Sequence, residues 1–278
     1  MLRKNPLTMQ GTLDRCWLFT YGAPLEEVRS LVPPELEVVE REGRAFWNVV
    51  VCRIRKMRPW PLPTVVGVTY WHVAYRTYAR FHPAQGAPIE GVYFLRSDCD
   101  SRLMAAMGNL LTDYRFHTAP VCIREEEERV EMEVRSKDCP GRAVLDRAGA
   151  VRLPAHSAFS SLDEAARFLK YKPCGLSAIP GRGASVVRIS RDERAWQYRL
   201  VRVEEAEWAF FQGKSVLPEI CYQVDPIEYR WNRAQVYPGP SLRGGPAFLP
   251  PPGKGSPPPE ANNAGALSSA EFGMRSAE

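Results

Sequence analysis

The chain has 278 residues, 45% hydrophobic and 25% charged, with a formal net charge of +5 from 37 basic and 32 acidic side chains. This balance excludes a collagen, a coiled coil and a wholly disordered protein, and a charge this small without a dense basic run argues against a nucleic-acid partner. Seven cysteines, odd in number and without a C-x-x-C spacing, argue against a disulfide framework and a structural zinc site, so a reducing, cytoplasmic setting is expected.

Residues 1–12 read as an N-terminal extension whose basic residues precede no apolar run, so no secretory signal is expected. Pro24, Leu25, Val28, Leu31 and Val32 form an amphipathic stretch that Pro33 and Pro34 stop. A strand is predicted over 45–57, then a stiff loop at Pro59, Pro61 and Pro63, placed to form part of a pocket rim. The longest uncharged run, 59–75, is too short and too proline-rich to span a membrane. Strands follow over 70–80 and 91–97. Residues 101–111 read as a helix capped by Asp98 or Asp100, with Leu103, Met104, Met107 and Leu110 on one face. Val121 and Ile123, then Val130, Met132 and Val134, alternate on either side of a charged turn and read as a hairpin. A third helix starts at the capping box Ser161 to Glu164. A second hairpin is expected from Val187 and Ile189 to Trp196, Tyr198 and Leu200, and a last strand over 219–231. Residues 238–278 hold 9 of the 25 prolines and 7 of the 20 glycines, which predicts a disordered tail. The whole is an α+β, β-rich chain, its many strands and few helices suggesting a closed or nearly closed sheet with helices at its flanks.

No P-loop, G-x-G-x-x-G, H-E-x-x-H or G-x-S-x-G motif occurs, and no two of the four histidines are close in sequence, so neither a cofactor nor a metal is expected. The strand 70–80 carries the best constellation. Alternation sets Tyr70, His72, Ala74, Arg76, Tyr78 and Arg80 on one face, a polar and aromatic set suited to a carboxylate or carbonyl ligand if it looks into a pocket; if it looks outward it is a solvated face. The junction 96–102 offers Asp98 and Arg102 as ligand-binding candidates, or as a helix cap and a salt bridge. Arg115 and His117 follow the helix. His72 and His117 are thus the candidate acid-base groups, and Arg76, Tyr78, Asp98, Arg102 and Arg115 the candidate ligand-binding residues.

The order LVPPELEV (31–38), a Trp-bearing strand (45–54), RTY (76–78), VYFLRSDCDSRL (92–103) and VDPIEYRW (224–231) resembles the uncharacterised YqjF-like family, related in fold to acetoacetate decarboxylase. The likeness spans about residues 13–237. It implies a single domain built on an antiparallel, cone-like β-barrel with flanking helices, a pocket inside, and self-association as a homo-oligomer. Acetoacetate decarboxylase forms a Schiff base through one lysine beside a second that lowers its pKa. Here the corresponding stretch reads DYRFHT (113–118), and no two of the seven lysines are adjacent. Arginine cannot replace them, because its guanidinium stays protonated. Where relatives carry a glutamate four residues before the RTY arginine, this chain has His72. Three readings follow: a small-molecule binder without Schiff-base chemistry, a lyase or hydrolase with His and Arg acid-base groups, and a non-catalytic interaction protein.

Overall fold

A strand buried on both faces has no polar side to show, and 45–52 carries a single polar side chain, Asn48. In the computed structural model, which describes residues 5–170 and 172–240, this run is the middle of a long central strand. The strands in chain order are β1 (Met9–Pro24), β2 (Glu37–Val38), β3 (Glu40–Arg41), β4 (Arg44–Pro59), β5 (Val68–Phe81), β6 (Ile89–Cys99), β7 (Phe116–Thr118) and β8 (Val121–Glu125). They continue as β9 (Arg129–Val134), β10 (Gly141–Asp146), β11 (Cys174–Ile179), β12 (Gly183–Arg191), β13 (Tyr198–Trp208), β14 (Leu217–Val224), β15 (Ile227–Trp231) and β16 (Gln235–Pro238). Among the described residues three α-helices, α1 (Leu25–Arg29), α2 (Arg102–Leu111) and α3 (Leu162–Phe168), lie between them. No helix among the described residues is long and apolar enough to cross a membrane.

The pairings return on themselves. β4, β5, β6, β11, β12, β15 and β1 are neighbours in that order, and β1 pairs back onto β4 from Met9 to Pro24. β1 manages this by changing partner on its other edge: residues 9–13 pair with β15, while residues 16–22 pair with β14 and open a branch through β13, β10, β9 and β8. Most pairs are antiparallel; β11 and β7 run parallel to β6.

Period-two alternation sorts the buried side chains into two cores. Trp47, Val49 and Val51 of β4 join Trp17, Val73 and Tyr75 in one. Phe46, Val50, Cys52 and Ile54 join Cys16, Tyr70, Ala74, Tyr78 and Phe94 in the other. Each large apolar side chain so buried contributes about 1.5–3 kcal/mol, which is what holds a sheet this size closed on both sides.

Several expectations need correction. β1 begins at Met9, inside the predicted extension, and Pro238 ends β16 while the Gly239 N–H donates to the Arg182 carbonyl at 2.9 Å. The folded body therefore runs past both predicted ends; the remainder of the proline-rich tail lies outside the described residues. β12 and β13 do not form a hairpin: β12 pairs with β11, β15 and β16, and β13 with β10 and β14. The predicted strand 219–231 is two strands parted at Asp225 and Pro226. The cap of α2 is Ser101, whose Oγ accepts from the Met104 N–H, not Asp98 or Asp100. Asp100 instead accepts from the Trp71 N–H at 2.9 Å and pins β6 to β5.

Candidate functional site

One cavity of about 130 Å³ draws walls from five strands of the ring: β1, β4, β5, β6 and β15. An engineered cavity of about 150 Å³ holds benzene, so this one suits a ligand of a few heavy atoms. Its polar wall is the face of β5 carrying His72 and Arg76, continued on neighbouring strands by Cys52 and Cys16. Pro6, Leu7 and α2, through Met104, Met107 and Leu111, complete the apolar wall. The loop with Pro59, Pro61 and Pro63 contributes nothing to the lining, so the expected rim is formed elsewhere.

Arg76 is 3% exposed, and its Nε donates to Asn48 Oδ1 at 2.7 Å on the adjoining strand. This fixes the guanidinium against β4 and sets a permanent positive charge in the cavity wall. His72 is 9% exposed, its ring stacked on Phe116 with centroids 5.3 Å apart. Phe116 is itself held by a reciprocal pair: its N–H donates to Asn109 Oδ1 at 2.7 Å, and Asn109 Nδ2 donates to its carbonyl at 2.8 Å. Gly108 makes room for that ring, since a Cβ there would lie 2.4 Å from Phe116. His72 Nε2 is buried without a hydrogen-bond partner, an arrangement that costs about 1–3 kcal/mol unless something fills the site.

The candidates separate into those facing the cavity and those that do not. His72 and Arg76 line it together. Tyr78 shares their core but its hydroxyl donates to the Leu169 carbonyl at 2.6 Å, as Tyr222 does at 2.7 Å, so two phenols cap the end of α3. Asp98 faces the other way. Between Tyr75 and Arg76 the β5–β6 register slips past Leu95, placing Asp98 opposite Val73 on the far side of the sheet. There Arg96 grips it with Nη2 at 2.8 Å and Nε at 3.0 Å. Arg102 is exposed at the start of α2. Arg115 is exposed with φ of 54°, and its carbonyl accepts from the Ser97 N–H. His117 is exposed because Phe116 takes the inward position of β7.

Two lining residues had no part in the expected site. Cys52 is the register partner of His72, and Cys16 is the register partner of Cys52. Side chains directly opposite on one face lie about 4.5–5.5 Å apart at Cβ, so the three form a row across β1, β4 and β5. The Cys16 thiol hydrogen-bonds the Cys52 sulfur and pulls its pKa down, helped by the His72 imidazole and the Arg76 charge and opposed by burial; the same interaction pushes Cys16 up. Their signal in the sequence was the inward alternation Phe46, Asn48, Val50, Cys52 of β4. Among the described residues no group of three His, Cys, Asp or Glu is arranged to hold a metal ion.

A family model for DUF2071, described as an uncharacterized conserved protein, matches residues 11–226. The chain belongs to this family. Comparison with curated proteins gave no match. Among solved structures, it is similar to an acetoacetate decarboxylase-like enzyme from Sphingomonas wittichii RW1, at 13% identity and a TM-score of 0.53 over 85% of this chain and 94% of that one. It is similar to acetoacetate decarboxylase from Legionella pneumophila at 12% identity and a TM-score of 0.53, over 84% and 89% of the two chains. The enduracididine biosynthesis enzyme MppR, complexed with pyruvate, gives 10% identity and a TM-score of 0.51 over 85% and 91%. At these identities the likeness is one of fold: a mostly β structure of the acetoacetate decarboxylase kind with few helices.

Proposed function

We propose that this DUF2071 protein binds a small organic acid or carbonyl compound inside a barrel formed by the seven-strand ring, and does so without a Schiff base. The observation that carries this reading is the buried pair His72 and Arg76 facing one small cavity, His72 with an unpartnered Nε2 and Arg76 with a fixed charge. A carboxylate supplies what that wall is built to meet, an anion for the guanidinium and an acceptor for an imidazole N–H. That a structure of this fold was solved with pyruvate bound supports the ligand size and class.

Among the described residues no lysine lines the cavity, which argues against an imine. Lys172 pairs with Glu90 at 3.1 Å and lies over the Tyr78 and Phe168 rings, and Lys214 donates to the Phe210 carbonyl. Neither reaches the site. Pyruvate and acetoacetate titrated into the protein, followed by ligand NMR line broadening, give saturable binding that falls about tenfold or more in Arg76→Gln, the loss of a charged hydrogen bond. Borohydride added to the same samples leaves every lysine unmodified. No saturable binding of either acid sinks the pocket reading, and a reduced lysine adduct sinks the argument against the imine.

A further inference from the structure

Register, not sequence proximity, brings Cys16, Cys52 and His72 together, for they sit on three different strands and meet as opposite residues. All three line the cavity, with Arg76 on the same face of β5 as His72. Cys52 is 4% exposed and Cys16 1%, so the sulfurs reach no solvent except through the cavity. His72 is more than nine-tenths buried and its Nε2 lacks a partner. A structural thiol is ordinarily packed among apolar groups and inert; this one has a second thiol on one side and an imidazole on the other.

We propose that Cys52 is a nucleophile and His72 its base, and that the cavity takes carboxylates bearing an electrophilic carbonyl, which Cys52 captures as a thiohemiacetal. This rests on the pocket reading above and adds a covalent step to it. The Cys52 sulfur attacks the carbonyl carbon and forms the S–C bond, while the C=O π pair moves onto oxygen. The thiol proton passes to His72 and from there to that oxygen, so the adduct needs no oxidant, reductant or further reactant. Arg76 holds the ligand's carboxylate, and the Cys16 thiol hydrogen-bonds the thiolate before attack. The lowered Cys52 pKa agrees with this role, since the thiolate is the reactive form.

The test alkylates the reduced full-length protein with limiting iodoacetate near pH 6.5, about two units below an ordinary thiol, and maps the sites by peptide mass spectrometry. Cys52 is carboxymethylated about tenfold or more faster than the exposed Cys122. It also reacts faster with iodoacetate than with neutral iodoacetamide, because Arg76 attracts the carboxylate. His72→Phe, which keeps the stack on Phe116, slows Cys52 labelling by about tenfold or more. Glyoxylate labelled with carbon-13 at its carbonyl gives, with the native chain, a new protein-bound tetrahedral-carbon resonance distinct from that of the free hydrate, and Cys52→Ser shows the hydrate signal alone. Labelling of Cys122 ahead of an intact Cys52, or an unchanged glyoxylate spectrum, overturns the proposal. Propionate separates the two levels, since it has the carboxylate and no electrophilic carbon. Propionate binding beside an unreactive Cys52 overturns the nucleophile alone, and failure of both overturns the pocket reading with it.

Discussion

The two faces of the sheet where β5 meets β6 both bury charge, and they treat it in opposite ways. On the outer face Arg96 donates to both oxygens of Asp98, to both oxygens of Asp138 and to Ser136, so the buried Asp98 is fully answered within the protein. On the cavity face His72 keeps a buried Nε2 with no partner, and Asn48, which holds Arg76, leaves its Nδ2 unpaired as well. A satisfied buried network stiffens a fold, whereas an unsatisfied one carries a cost that a ligand can remove. The contrast therefore assigns structure to one face and binding to the other, although the sequence places Asp98 and His72 side by side as candidates.

The largest effect expected from this contrast is on stability. Asp98→Ala removes the buried carboxylate from a part-buried guanidinium that keeps Asp138 as its other partner, and costs about 1.5–3 kcal/mol, the loss of charged hydrogen bonds, read as a fall in the urea midpoint with an unchanged slope. His72→Phe removes a buried polar atom that has no partner, keeps the ring against Phe116, and leaves the midpoint unchanged or raises it by up to about 1–3 kcal/mol. If the two variants cost the same, the difference between the faces disappears. If His72→Phe is the costlier, His72 is a structural residue and the binding role falls.

The strands themselves were legible because alternation and apolar runs are local. The cores of β4, β5 and β6 follow from their own residues, as does the Ser161 cap of α3, whereas α1 ends at Arg29, before the Pro33 and Pro34 stop is reached. What was not legible depends on partners. A one-residue slip at Leu95 turns Asp98 from the pocket face to the outer face, and nothing in the segment 92–103 announces it. The Cys16–Cys52–His72 row exists because β1 and β5 pair with the two edges of β4, a fact of topology. Tyr78 looked like a pocket phenol until the Leu169 carbonyl appeared beside it, ninety-one residues away. The apolar face of α2 is also a surprise of context: Leu103, Met107 and Leu110 are exposed while Ala105 is buried.

The smallest effect concerns the outer face at low pH, where the network reaches solvent. Hydrogen bonds from Arg96, together with its charge and Ser136, hold the Asp138 carboxyl well below the usual carboxylate range. A lowered pKa means that the folded chain binds this proton more weakly than the unfolded chain. The resulting stabilisation is complete above the ordinary carboxylate pKa, about 3.9, and is lost as pH falls through the folded value. Asp138 has 62% of its side chain exposed, so solvent screening limits the contribution to about 0.5 kcal/mol. Asp138→Asn accordingly lowers the thermal midpoint slightly at pH 7, and the gap to the native chain narrows below about pH 4. A constant gap for Asp138→Asn from pH 7 to pH 3 would show that Arg96 spends its charge on Asp98 alone, and would shrink the outer network to that one buried pair.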